Sequence, residues 1–366
     1  MAVIVASVTG AVAGPKGSAA TLSRERSSLQ HMAYVSPSLL RPGPLVVTRG
    51  KVVHHVAADR RYVVWEAGPL QDPRARTSLL ERDLESGRTK VLSRDVEPNY
   101  GLASTGGWVV FAQGNARVRL VAVRHDGSRR TVLSHSLSAP IDTRGTLVAW
   151  GEEKANEQRV VVRDMKRGVD RLAVKMHRCS HRRCYQLERV TLADDGVVFT
   201  RDGSNPDRSL IVRRAFSSRT LTAVTIAHDA QPDLIPSSAG AVYYVFGGGW
   251  YRWDFGRRRP HRTRFRTNPP APLLAYEDGR WFLATRQGCD FGVVMLERDG
   301  HQRTIASPRR LRRLARSERR ICTVLEAFAW TGRQTLTAWA LAPKYSIDSH
   351  VDFGLVGVAL AGSVLR

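Results

Sequence analysis

The stretch MHRCSHRRC, residues 176–184, places His177, Cys179, His181 and Cys184 within eight residues. Thiolates and imidazoles are zinc ligands, and so short a spacing is compatible with chelation. Structural zinc sites, however, draw ligand pairs from two separated segments, and here Arg178, Arg182 and Arg183 would crowd the cation. A disulfide between Cys179 and Cys184 that closes a local loop fits better, and we expect no metal site. Cys289 and Cys322 complete the set of four cysteines. An even count in a chain with export features favours two bridges, the second being Cys289 to Cys322, although the connectivity stays open until their Cα atoms are known to lie within about 7 Å.

Other catalytic chemistry is sparse. The chain has no G-x-S-x-G elbow, no H-E-x-x-H, no Walker A loop, no G-x-G-x-x-G and no calcium loop of alternating acids. The run GGGW at 247–250 is explained by tight chain reversal rather than phosphate binding. For an enzyme without contiguous motifs, His54, His55, Asp194 and Asp195 are the candidates. Their ordinary readings are one histidine per strand face and a two-acid turn. No cofactor is expected.

Charge is the strongest compositional feature: 57 Lys plus Arg against 33 Asp plus Glu, for a net +24. Only seven of the cations are lysines, a skew that a GC-rich coding sequence also produces. Two segments concentrate the surplus. RRRPHRTRFR at 257–266 has six arginines and no acid, and RRLRRLARSERR at 309–320 has seven against one glutamate. The arginines that form the candidate anion or partner patch are Arg257, Arg258, Arg259, Arg262 and Arg264 in the first, and Arg309, Arg310, Arg312 and Arg313 in the second. Ser307 as cap, Pro308 in the first turn and an apolar stripe of Leu311, Leu314, Ala315 and Ile321 predict a short basic amphipathic helix.

The elements that must hold these residues are legible in repetition. ERDLESGRTKVLS at 81–93 is echoed by AVRHDGSRRTVLS at 122–134. Strand-like triplets ending near an aromatic recur as YVVW (62–65), WVVF (108–111), LVAW (147–150), GVVF (196–199), VYY (242–244), WFL (281–283) and FAW (328–330). Their period of about 44 residues is that of propeller blades of four strands. Most triplets follow a tight turn such as STGG or ADDG, and a second strand and second turn (ESGR, HDGS, KRGV, RDGH) follow them. The two echoing segments are then the outer hairpin of consecutive blades, and the aromatics fill the space between blades. We therefore expect an all-β protein, a β-propeller of seven blades of four antiparallel strands. Six or eight blades result if a terminal element is miscounted. A strand from one end of the chain completes the blade begun by the other.

The cadence of DDGVVF or EDGRWFL leading into a triplet, with RDLESGRTKVLS closing a blade, resembles the TolB-like (WD40-like) propeller repeats from about residue 45 to 360. The Ser-Pro that usually precedes Asp-Gly is missing, so the resemblance is to a divergent member, propeller only. It implies kinship with the propeller domains of dipeptidyl and prolyl peptidases. Those peptidases attach a hydrolase domain with G-x-S-x-G, which this chain lacks, and a Tol system is not implied.

Domain boundaries follow. Residues 1–20 hold an apolar run, Ala2–Gly14, and small residues near Ala20 that read as a secretory signal without its basic start. Residues 21–44 are a linker, and 45–366 a single propeller domain. No stretch reaches the eighteen apolar residues of a membrane span. The expected role is an exported, noncatalytic propeller, most simply a monomer, that binds a protein or an anionic cell-surface polymer. The alternatives are a propeller enzyme of lyase or glycosidase type, and a nucleic-acid binder if the chain is cytosolic.

Overall fold

The computed structural model describes residues 45–48, 52–59, 61–68, 77–83, 85–97, 100–114, 117–180, 183–203, 209–226, 235–236, 240–245, 249–263, 273–277, 280–287, 290–296, 301–306, 321–330, 334–343 and 357–364. The described elements are almost entirely antiparallel strands, arranged in seven sheets. β1 (Leu45–Thr48) belongs to the last sheet. Sheet 1 is β2 (Val52–Asp59), β3 (Tyr62–Gly68), β4 (Thr77–Asp83) and β5 (Thr89–Val96). Sheet 2 is β6 (Leu102–Thr105), β7 (Trp108–Gln113), β8 (Arg119–Arg124) and β9 (Arg130–Ser134), and sheet 3 is β10 (Leu137–Arg144), β11 (Leu147–Lys154), β12 (Glu157–Asp164) and β13 (Val169–His177).

Sheet 4 has five strands, β14 (Cys179–Ser180), β15 (Arg183–Ala193), β16 (Gly196–Gly203), β17 (Ser209–Ala215) and β18 (Leu221–Ile226). Sheet 5 is β19 (Ile235–Pro236), β20 (Gly240–Val245), β21 (Gly249–Asp254) and β22 (His261–Arg262). Sheet 6 is β23 (Leu273–Glu277), β24 (Arg280–Gln287), β25 (Asp290–Leu296) and β26 (Gln302–Ala306). Sheet 7 contains β27 (Ile321–Trp330), β28 (Gln334–Pro343) and β29 (Gly357–Val364), with β1 paired to β29. A strand from near the start of the chain thus completes the sheet formed by its end, as expected, and GVALAGSV is its third strand.

The chain divides into two compact units, residues 99–270 and residues 1–98 with 271–366. In the first unit, sheets 2 to 5 stack face to face. Val160 and Val162 of β12 point into the layer shared with sheet 4, alongside Leu187, Leu192, Phe199 and Val212. Val161, between them, points the other way, into the layer with Trp108, Val110, Leu120 and Trp150 of sheets 2 and 3. Side chains on a strand alternate between faces, so a strand buried on both sides needs an unbroken apolar run such as VVV. Phe199 and Val198 divide in the same way between the sheet 3–4 layer and the sheet 4–5 layer, where Ile211, Tyr243 and Trp253 lie. Among the recurrent aromatics, Trp150 lies in the sheet 2–3 layer and Phe199 in the sheet 3–4 layer, and Trp65 and Phe111 are likewise buried.

In the echoing hairpins β4–β5 and β8–β9, Asp83 N donates to Arg88 O and Arg124 N to Arg129 O, both at 3.0 Å. Gly87 (φ 70°) and Gly127 (φ 76°) occupy the left-handed region that only glycine enters without strain. Asp83 and Asp126 carboxylates each accept the amide two residues on, from Glu85 and Ser128. Five of the seven triplets lie on the second strand of their sheet, GVVF lies on β16, which the short β14 makes third in sheet 4, and FAW ends β27, the first strand of sheet 7, where the second strand is β28 with Trp339. First and second strands both carry apolar, aromatic-ended runs, so the motif alone does not separate them.

Candidate functional site

The CSHRRC segment forms a hairpin added to the first strand of sheet 4. Cys179 pairs with Cys184 and Ser180 with Arg183, and the two cysteines form a disulfide with Cα atoms 4.0 Å apart. Sulfurs bonded to each other are not thiolate ligands, so the zinc reading is set aside. The base of the hairpin is tied to the preceding sheet. Arg178 N donates to Asn156 O at 2.8 Å, and Tyr185 N donates to Arg178 O at 2.7 Å. Arg178 also pairs with Glu153 at 2.5 Å. Below it, fully buried Gln158 donates to Tyr185 O at 3.0 Å. Arg201 lies over the Tyr185 ring, 5.0 Å from its centroid, and donates to His177 O at 2.5 Å and to Gln158 Oε1 at 3.3 Å. Burial pulls the Arg201 guanidinium below its usual value. His181 and Cys289 lie outside the described residues, and Cys322 sits in β27.

Of the arginine patch, Arg257, Arg258 and Arg259 form the exposed turn between β21 and β22, and Arg262 is exposed on β22. Arg264, Arg309, Arg310, Arg312 and Arg313 lie outside the described residues, as does the expected helix up to residue 320; Ile321 already begins β27. The turn is fixed from beneath: Arg257 N donates to Asp254 O, and Trp253 Nε1 donates to Arg257 O, both at 3.0 Å.

Three of the four residues considered for catalysis are already engaged, and the side chain of His54 lies outside the described residues. Asp194 is held by Arg144 and Asp195 by Arg213, each at 2.5 Å. His55 is buried, with its Nδ1 2.6 Å from Glu66 Oε2. The pairing of β2 with β3 shifts register between Val53 and Val56, and His55, Ala57 and Asp59 are all buried, the spacing of one strand face. Burial pushes the Glu66 carboxyl above the ordinary glutamate range, and nearby His55 opposes the rise. Among the described residues, no group of three metal-ligating side chains converges. Glu66, Gln158 and Arg201 were invisible to sequence reasoning because each meets partners 11 to 43 residues away across a sheet or between sheets.

Stacked four-stranded sheets that share both faces with their neighbours define the class of the molecule: it is a β-propeller. No family model matches the chain, and no curated protein matches it in sequence. Solved structures do. The β-propeller domain of the Trilobed protease from Pyrococcus furiosus aligns with a TM-score of 0.53 and 8% identity, over 87% of this chain and 96% of that one. An acylaminoacyl peptidase, in complex with Z-Gly-Gly-Phe-chloromethyl ketone, aligns at 0.51 and 9%, over 80% of this chain and 49% of that one. TolB from Acinetobacter baumannii aligns at 0.34 and 13%, over 83% and 80%. At these identities the likeness is one of fold, and the chain spans about half the length of the acylaminoacyl peptidase.

The fold expected from the repeats is the one observed. The expected role needs correction. The expectation of a purely noncatalytic scaffold for proteins or anionic polymer is overturned by structural neighbours that include a protease's propeller domain and an acylaminoacyl peptidase. Sequence reasoning weighted the missing G-x-S-x-G too heavily, since that elbow belongs to a domain other than the propeller.

Proposed function

We propose that this chain is the propeller module of a peptidase-type system, receiving extended peptide segments while a separate hydrolase domain supplies the chemistry. The observation that carries this reading is its near-complete overlap with a protease's isolated propeller domain, 87% of this chain against 96% of that one. The absence of a nucleophile elbow fits a module without hydrolytic machinery of its own. Seven sheets serve as its blades. On β15 of sheet 4, Gln186 and Glu188 offer exposed polar side chains suited to peptide amides and termini. The Cys179–Cys184 disulfide supports residence in an oxidising compartment, and the chain acts as a monomer.

Isothermal titration of the purified protein with a neutral, extended nonapeptide and with a neutral oligosaccharide tests the reading. One-to-one binding of the peptide alone is expected. Binding of the oligosaccharide alone, or no peptide binding, overturns it.

A further inference from the structure

The turn between β21 and β22 and the equivalent turn of sheet 4, between β17 and β18, adjoin. The Arg213 guanidinium of β17 lies 4.3 Å from the centroid of Phe255, and Arg214 beside it donates to Arg219 O at 2.6 Å. The acids of this region are spent on internal pairs. Asp254 is taken by Arg252 (2.5 Å), Arg257 (3.8 Å) and His261 (3.7 Å). Asp195 is taken by Arg213 and Asp194 by Arg144. Arg219, Arg258, Arg259 and Arg262 are exposed and, among the described residues, have no carboxylate partner. Four guanidinium groups are therefore displayed with no carboxylate among the described residues to neutralise them.

Their presentation is preset. Trp253 is fully buried and packs edge-on against Phe255 at 5.3 Å, Gly256 takes φ 97°, and the Trp253 Nε1 bond to Arg257 O closes the turn. A surface ordered in advance loses little entropy when a ligand arrives. Guanidinium forks accept carboxylates two oxygens at a time, and phosphates equally well. Two features separate these ligands. The Phe255 ring is already covered by Arg213 and Trp253 and the Phe216 ring of the sheet 4 turn by Arg171, so neither of these described rings is left open for a nucleobase to stack. The cations also sit on turns and on a strand of two residues, not on a helix or ribbon able to enter a duplex groove.

We infer that the adjoining turns of sheets 4 and 5 bind an acidic peptide segment, a run of Asp or Glu side chains, through Arg219, Arg258, Arg259 and Arg262. The inference stands independently of the peptidase reading, because it concerns charged side chains on outer turns and not the first strands.

Fluorescence anisotropy on the full chain tests it, with a fluorescein-labelled deca-glutamate, a neutral Gly-Ser decapeptide and a single-stranded decanucleotide as probes. The variant R258E/R259E/R262E is expected to weaken deca-glutamate binding about tenfold or more. A charge-matched variant at exposed arginines elsewhere, R88E/R94E/R117E, is expected to change it less than about threefold. The milder R258Q/R259Q/R262Q, with melting curves on all variants, separates lost binding from lost folding and is expected to weaken binding by an intermediate factor. Raising salt from 50 to 150 mM weakens the parent's binding, as a screened contact requires. Equal losses in the two reversed-charge variants, tighter binding of the decanucleotide at the patch, or no binding of deca-glutamate by the parent would each overturn the proposal.

Discussion

His55 and Glu66 meet 2.6 Å apart with neither side chain appreciably exposed, and Glu66 Oε1 has no hydrogen-bond partner. Burying a carboxylate is unfavourable unless it is fully paired, which is why this group holds its proton to higher pH than an exposed glutamate. The sign of the consequence follows. A group whose pKa is raised on folding contributes most below its unfolded value, near 4.5 here, and that contribution is lost as the pH climbs through the folded value. Glu66→Gln removes the titration while keeping the shape. Melting temperatures measured from pH 4 to pH 8 should therefore show the parent losing ground to this variant as the pH rises. A constant or shrinking difference would mean that Glu66 is charged throughout. Nothing in the local sequence, VVHHVAAD or YVVWEAG, announced this pair, because it joins residues eleven apart on two neighbouring strands.

Among elements, hairpins were legible and their placement was less so. Gly87, Gly127 and Gly168, each at positive φ, mark turns that ESGR, HDGS and KRGV identify by composition alone. FAW occupies the first strand of its sheet where most other triplets occupy the second, and composition alone does not tell the two positions apart. The sheet 4 hairpin was half legible: two cysteines five apart suggested a bridge, whereas the support from Arg178, Gln158 and Arg201 comes from other strands. A loop this short restricts the unfolded chain little, so the chain-entropy argument gives the disulfide about 2 kcal/mol. Chemical denaturation of the C179S/C184S double variant should reveal a loss of that size or smaller, together with faster proteolysis between residues 178 and 185. A loss above about 4 kcal/mol would indicate that the bridge supports far more than its own hairpin.

At the scale of the molecule, the fold was legible because repetition states the same information several times: alternation within strands, glycine in the turns, aromatics in the layers between sheets. The role was less legible, because a propeller carries its function on side chains gathered from separate repeats, and no contiguous motif records that gathering. The central claim is that the first strands of the sheets receive peptide. A neutral nonapeptide carrying a benzophenone side chain, photo-cross-linked to the full chain and mapped by mass spectrometry, tests this most directly. The account predicts adducts on β15, around Gln186 and Glu188, abolished by excess unlabelled peptide. Competed adducts confined to the outer strands β9, β13 and β18, or none at all, would contradict it.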